Sequence, residues 1–336
     1  MRPTAEIGDN MAGVVTPSHA VDRPAETRAD TCFLCGGVLE VTAGDLVDTR
    51  FGTPGTYEIY RCVYCGLERT FPVPCLAALK ELYEREYNFG GERDTLYTRW
   101  RERFLFSFLY RLWASIDGDI SFHRRRGPGR LLDIGCNEGR GLRLYARNGF
   151  QVEGLEFSET AAAVAQGAGF EVHTRLLSEF TPEAPYDVAV LSNVLEHSLD
   201  PRRMLLDVRR ILVSGGQVCI SCPNSWSWLR KVFGRSWINW HVPFHIFHFS
   251  PNTLRQLLAE TGYAQIEVRQ ITPALWVAQS LIARLFARQG RKTRELRSPL
   301  LTVVFMLLAR CVLFPALWLG NYLARGDCLL AVGTKP

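Results

Sequence analysis

The sequence predicts an α/β protein on a parallel, doubly wound sheet, with a small cysteine module ahead of it and an apolar helical segment before its last strand. Three observations predict this. Between 130 and 271, short apolar runs alternate with helical patterns, and regular β-α alternation builds a parallel sheet with its ligand at the carboxyl ends of the strands. Two Cys-x-x-Cys pairs stand within 32–75. Residues 272–325 are mostly apolar and give way to a strand-like run at 327–334. Of the 336 residues, 47% are hydrophobic and 22% charged, enough for a sizeable core with an appendage. The net charge of +5 admits an anionic partner without requiring a nucleic acid.

Residues 1–31 are rich in Pro, Ala, Thr and Asp and lack an apolar run of signal-peptide length, which predicts a disordered leader. With ten cysteines, that points to a reducing, cytoplasmic setting. In 32–75, Cys32 and Cys35 precede Cys62 and Cys65 by 26 intervening residues, and each pair is followed by glycine. Four thiolates on two turns satisfy tetrahedral Zn2+, and the separation suits a zinc ribbon with strands at 38–41 and 57–61. Residues 76–129 read as a helical linker or lid, with Leu79, Leu82 and Tyr83, then Leu105, Leu109 and Leu112, at helical spacing. The run Arg124-Arg125-Arg126-Gly127-Pro128-Gly129 breaks the pattern.

The core, 130–271, offers strands at 130–135, 151–156, 170–173, 187–192 and 217–222. Helices lie between them at 139–148, 161–168 (capped by Ser158) and 201–212. Ser250-Pro251 starts a further helix. The apolar insertion follows at 272–325 and the last strand at 326–336. Cys219 and Cys222 repeat the Cys-x-x-Cys spacing on a buried strand, where packing rather than metal explains them.

The turn after the first core strand carries the chemistry. It runs Leu131-Leu132-Asp133-Ile134-Gly135-Cys136-Asn137-Glu138-Gly139. Gly135 and Gly139 let the backbone reach positive φ and let a ligand approach. Asp133 would repel a phosphate but suits a cationic end such as an amino group. Glu156 ends the next strand about twenty residues later, where a carboxylate can accept two ribose hydroxyls. After the fourth strand comes Asn193-Val194-Leu195-Glu196-His197. Past the fifth comes an aromatic loop with His241, His245 and His248, which ends at Ser250.

This turn resembles motif I, Asp-x-Gly-x-Gly-x-Gly, of the class I S-adenosylmethionine-dependent methyltransferases, of the type 23 kind, with Asn137 in place of the middle glycine. The resemblance covers about 130–271 and the last strand. It implies a Rossmann-like seven-stranded methyltransferase sheet, here with an N-terminal four-cysteine zinc ribbon and a hydrophobic helical insertion before the last strand. It also implies S-adenosyl-L-methionine as donor, held by Asp133, Gly135, Cys136, Gly139, Glu156, Phe157 and Asn193, with Asp133 on the methionine amino group and Phe157 against the adenine. No acid stands in 173–179 where the family often places one near the adenine amino group. His197, His241 and His245 are the candidate general bases, because a histidine near neutrality suits proton removal from a hydroxyl. Shaping the local loops is the competing role for all three, and a metal on the loop histidines is a weaker reading.

A zinc ribbon ahead of such a domain recurs in methyltransferases of sugar and polysaccharide pathways. The leading expectation is therefore O-methylation of a sugar, a lipid-linked glycan or a related small molecule. A C-methyltransferase acting on a nucleotide-linked keto-sugar is the nearest rival. A zinc-ribbon nucleic-acid-binding protein and a non-catalytic scaffold are the readings from other classes. The short basic run and small net charge argue against nucleic acid. Residues 299–320 are long enough to span a bilayer, but Arg310 and Pro315 interrupt them. With the upstream arginines 284, 288, 291, 294 and 297 and Lys292, residues 272–325 suit peripheral contact with the inner face of a membrane.

Overall fold

The structure is a computed structural model that describes residues 31–86 and 96–336. The expected leader lies, apart from Thr31, outside the described residues. The chain opens with strands β1 (Leu39–Leu46), β2 (Tyr57–Cys62) and β3 (Glu68–Phe71), then helices α1 (Leu76–Glu86), α2 (Leu96–Leu105) and α3 (Phe108–Asp117). The core runs β4 (Arg130–Ile134), α4 (Arg140–Arg147), β5 (Gln151–Leu155), α5 (Glu159–Gly167), β6 (Glu171–His173), β7 (Tyr186–Ser192), α6 (Pro201–Ile211) and β8 (Leu212–Pro223). It continues with α7 (Trp228–Phe233), β9 (Phe247–His248), α8 (Pro251–Glu260) and β10 (Ala264–Ile271). The chain closes with α9 (Ala274–Phe286), α10 (Pro299–Cys311), α11 (Phe314–Tyr322) and β11 (Cys328–Thr334).

Seven strands form one sheet in the order β10-β11-β8-β7-β4-β5-β6. Strands β4 to β8 pair in parallel, and β11 enters antiparallel to both β8 and β10. Leu131, Leu132, Val190, Leu191, Val218 and Ile220 are fully buried, as strands covered on both faces must be. The chain moves from β4 to β5 and β6 on one side, then restarts at β7 on the other. That switch point opens a crevice at the carboxyl ends of β4 and β7. Helix α6 starts on Asp200, whose side chain accepts the Arg203 N–H at 2.9 Å, and buries Leu205, Val208 and Ile211 on one stripe. Helix α8 starts on the Ser250–Thr253 capping box.

The cysteine module is not a separate bead. Its sheet runs β1-β2-β3-β9, so the last strand comes from the aromatic loop of the core. Glu68 pairs with His248 and Arg69 with Phe247, and the Thr70 N–H donates to the Ile246 carbonyl at 2.9 Å. Glu68 is buried and paired at 2.7 Å with Arg230, which lies over the Trp240 ring. The loop at 48–53, tied by Asp48 side-chain bonds to the Arg50, Phe51 and Thr53 N–H groups, meets the insertion: Thr293 N–H donates to the Arg50 carbonyl at 3.0 Å.

One expectation changes here. Leu105 does not share a helix with Leu109 and Leu112, because α2 ends at Leu105 and α3 begins at Phe108, with Ser107 between them. Nor is that spacing a core stripe: Leu109 and Leu112 are half exposed, while α3 turns Ala114 and Asp117 inward. The insertion is three helices, and it is broken near Pro315 as expected. α10 and α11 bend by 67° at a break just before Pro315. Among the described residues no single helix is long and apolar enough to cross a membrane. Arg310 points into the protein, bonding to the Asp117 carboxylate and, at 2.6 Å, to the Thr272 carbonyl.

Candidate functional site

The crevice is walled by the turn after β4. Gly135 sits at φ +73°, and a Cβ there would lie 2.7 Å from Val194 Cγ2, so the turns after β4 and β7 touch. Gly139 sits at φ +75° against Ala165, where a Cβ would approach 2.8 Å. Asn137 adopts φ +51°. This explains the replacement of the middle motif glycine: asparagine is among the side chains that best tolerate the left-handed region. Its Oδ1 accepts the Glu138 N–H at 2.8 Å, which holds the turn.

Asp133 is buried, and among the described residues no hydrogen bond or ion pair reaches its carboxylate. Burial, with the Glu156 charge second, pushes its pKa up to about 8. A buried carboxylate with no cation to face fits a site whose ligand supplies one. A residue that sequence reasoning passed over guards it: a Cβ on Gly141 would fall 2.7 Å from Asp133 Oδ2. This glycine, just past the motif in the first turn of α4, is thus needed for the carboxylate rather than for turn geometry.

Glu156 stands at the end of β5 and clamps both loops. Its Oε2 accepts the Asn137 N–H and its Oε1 the Ser158 N–H, each at 2.8 Å. The carboxylate is thereby aimed across the crevice, and burial holds its pKa above the usual carboxylate range. Cys136 is buried beside Gly154, where a Cβ would meet its sulfur at 2.5 Å, so it packs the floor of the turn. Phe157 lies under the Lys80 ammonium of α1, 5.6 Å from the ring centre, which brings the covering helix to the adenine-side candidate. Asn193 holds φ +55°, and its N–H donates to the Ser221 carbonyl at 2.9 Å, bending the chain toward the crevice.

Behind this turn the three candidate histidines come together. The ring of His197 lies 4.6 Å from that of His245 and 6.2 Å from that of His241, and His241 and His245 are 4.9 Å apart. His241 and His245 are buried, and burial holds both well below the ordinary histidine range, with the Arg50 guanidinium contributing. His197 is partly exposed, and its Nδ1 lies 2.5 Å from the Tyr83 hydroxyl of α1. Its pKa is lowered to about 3, first by burial and then by Arg50, so it does not titrate near neutrality as expected from the sequence and can take a proton only in concert with a hydroxyl hydrogen-bonded to it. His245 Nδ1 lies 2.8 Å from the Asn239 carbonyl, so that nitrogen carries the proton and Nε2 is bare. It faces Glu196 Oε1 at 4.0 Å.

Glu196 is fully buried, both of its oxygens lack a hydrogen-bond partner among the described residues, and burial pushes its pKa up to about 8. Glu196, His197 and His245 bring three metal-capable atoms within 4.8 Å of one another, so the group can move a proton or hold a cation. The loop is anchored from an unexpected place. Asp327, at the entry to β11, accepts Trp237 Nε1–H at 2.8 Å and Asn239 Nδ2–H at 3.0 Å.

In the module, Cys32 and Cys65 sulfurs lie 3.6 Å apart and Cys35 and Cys62 sulfurs 3.3 Å apart, and all four fall within 4.8 Å. Zn–S bonds of about 2.3 Å in a tetrahedron require sulfurs about 3.8 Å apart, so the four thiols fit that ion. Gly36 N–H donates to the Cys32 carbonyl at 2.8 Å and Gly66 N–H to the Cys62 carbonyl at 3.0 Å, with both glycines at positive φ. Two matching knuckles result.

The family model described as "Methyltransferase domain" matches residues 97–268, just over half of the chain. A ubiquinone biosynthesis O-methyltransferase of Maricaulis maris is 32% identical over 149 residues, covering 40% of this chain and 58% of that protein. A Mycobacterium tuberculosis protein named "Probable S-adenosylmethionine-dependent methyltransferase" is 31% identical over 139 residues, covering 40% and 49%. The chain thus spans about half the length of the curated relatives it matches. A solved Thermotoga maritima S-adenosylmethionine-dependent methyltransferase is 18% identical, covering 77% of this chain and 100% of its own, with a TM-score of 0.45.

Proposed function

We infer the reaction from one premise: the chain belongs to the methyltransferase domain family and is a class I S-adenosylmethionine-dependent methyltransferase. Its acceptor is a hydroxyl on a sugar, a lipid-linked glycan or a related metabolite, met at the inner face of a membrane. O-methylation is the activity named for the Maricaulis maris relative, which supports an oxygen nucleophile. The observation that carries the reading is the Tyr83–His197 pair beside the turn that touches Gly135.

S-adenosylmethionine, when bound, supplies a sulfonium methyl group, and a C–O bond to the acceptor forms as the C–S bond breaks. Asp133 would hold the donor's ammonium and Glu156 its ribose hydroxyls. In-line positioning supplies most of the acceleration. The acceptor's proton still has to leave. Of the three histidines only His197 is not fully buried, so it takes the base role. The proton passes from the acceptor to the Tyr83 oxygen as the Tyr83 proton moves to His197 Nδ1. His241 and His245 then act as the wall that keeps His197 neutral and oriented, and Cys32, Cys35, Cys62 and Cys65 hold structural zinc.

The test is incubation with labelled donor and separated lipid, glycan and nucleotide-sugar fractions, with the product methyl identified by NMR. Label on an oxygen in a lipid or glycan product supports the reading, and a C-methyl product overturns it. Tyr83→Phe and His197→Gln should lower kcat by roughly 10²-fold, the low end of a positioned base's worth because burial lowers the His197 pKa, with donor affinity unchanged. An unchanged kcat in both variants removes the pair from the chemistry.

A further inference from the structure

We propose that the outward faces of α2, α3, α10 and α11 form one membrane-docking surface, and that the arginine-lined cavity beside α3 takes the phosphate of an anionic phospholipid headgroup in that bilayer. This extends the membrane reading from the insertion to a second segment and adds a specific ligand class. Its assay reads vesicle binding rather than methyl transfer, so the two proposals can fail separately.

The helices concerned are inside out. α10 turns Thr302 and Ala309 to the protein and presents Leu300, Val303, Val304 and Leu307 to solvent. α3 buries Ala114 and Asp117 and exposes Phe108 (76%), Leu112 and Ile116. α11 buries Leu317 and Gly320 and exposes Trp318 and Tyr322, whose rings stack at 5.6 Å. A surface helix of a water-soluble domain does the opposite, with its apolar stripe on the core. The Asp117–Arg310 bridge locks α3 to α10, and α2 packs on both, so these faces are neighbours. Contiguous exposed apolar surface on this scale marks an interaction site. An exposed Trp–Tyr pair at its edge suits the bilayer interface, where the ring body is greasy and the polar tip wet.

The charge beside the patch selects the occupant. A cavity of about 640 Å³ opens along α3, lined by Phe108 and Arg111 of that helix and by Arg124, Arg126 and Arg147. No carboxylate lines it, and Arg111, Arg126 and Arg147 make no salt bridge among the described residues; Arg124 alone has an acid near it, Asp119, whose Oδ2 accepts the Arg124 backbone N–H at 2.7 Å. Phe108 belongs to both the cavity and the apolar face, so a headgroup in the cavity leaves its acyl chains against α3. The cavity lies at the carboxyl end of α4, whereas the donor turn lies at its amino end, so it is a second site. A two-fold dimer through this face would bring like-charged cavities to one seam, which favours a lipid surface over a second copy.

The full chain would be sedimented with phosphatidylcholine vesicles, with and without phosphatidylglycerol. Wild type should bind the phosphatidylglycerol vesicles more tightly. Arg124→Glu with Arg126→Glu should weaken that binding roughly twentyfold or more, since each basic residue near an anionic surface is worth about fivefold, and should abolish the lipid preference. Phe108→Ser with Leu112→Ser should weaken binding to both vesicle types. These side chains are exposed, so an unchanged thermal melt confirms that each variant folds. Equal binding to the two vesicle types overturns the phosphate pocket. So does glycerol phosphate binding to the free protein as tightly as vesicles do. No vesicle binding, or a dimer dispersed by the Phe108/Leu112 variant, overturns the membrane surface.

Discussion

Asp133→Asn separates what this carboxylate does for the fold from what it does for the donor. The carboxyl titrates at about 8, so at pH 7 ionising it costs about 1.4 kcal/mol, one pH unit's worth. An ammonium about 4 Å away in a partly buried site returns about 4 kcal/mol. The net gain, roughly 2–3 kcal/mol, predicts a loss of about 30- to 100-fold in S-adenosylmethionine affinity for the variant, read by titration calorimetry. The wild-type affinity should rise with pH, approaching tenfold per unit below 8, because binding selects the ionised carboxylate. Stability runs the other way. A carboxyl whose folded pKa is raised contributes stability below its unfolded value near 4, and that contribution is lost as pH rises through about 8. The ligand-free variant should therefore melt higher than wild type at pH 8–9 while binding donor more weakly. A flat affinity profile with an unchanged variant affinity would refute the assignment of Asp133 to the ammonium.

Two further outcomes follow from the packing. Stripping metal with a chelator, or Cys62→Ser, should lower the melting temperature and release the amide proton of His248 to exchange, since β9 is held by β3; exchange unchanged at that amide would show that the thiol cluster does not support the loop. Arg310→Met should destabilise by roughly 3–5 kcal/mol in urea unfolding, because it strands Asp117 as a buried unpaired charge, and Asp117→Asn added to it should recover part of the loss. A single variant as stable as wild type would show that the pair does not hold α3 to α10.

The core strands and the donor turn were legible because their signals are local. A buried parallel strand is a continuous apolar run, and a turn needing positive φ shows as Gly or Asn, which covers β4, β5, β7, β8, Gly135, Gly139 and the replacement at Asn137. What escaped depends on distant partners. β9 is two residues long, too short for any periodicity, and its mate β3 lies about 180 positions earlier. Arg310 read as a charge stranded in an apolar segment because its partner, Asp117, is 193 residues away. Spacing placed Leu109 and Leu112 on one helical face but carries no information about which face meets water. The orientation of α3 is set by Asp117, whose carboxylate also accepts the Ala274 N–H that opens α9.

The module's position gives the proposed zinc a structural role. The loop at 237–250 carries three buried histidines, and the short β9 within it could not hold that loop alone. Three contacts from the module supply the missing support. β3 extends its sheet through β9. The Thr70 hydroxyl donates to the His245 carbonyl at 2.6 Å, so its oxygen can only accept from His248 Nε2, 2.9 Å away, which sets that ring's tautomer. Burial keeps His197, His241 and His245 neutral, and Arg50, on the loop at 48–53, places a positive charge that adds to it. A four-thiolate clip fixes these groups in a segment too small to build a core of its own. On this reasoning the metal is remote from the reacting atoms, yet its loss should reach the Tyr83–His197 pair through β9 and Arg50.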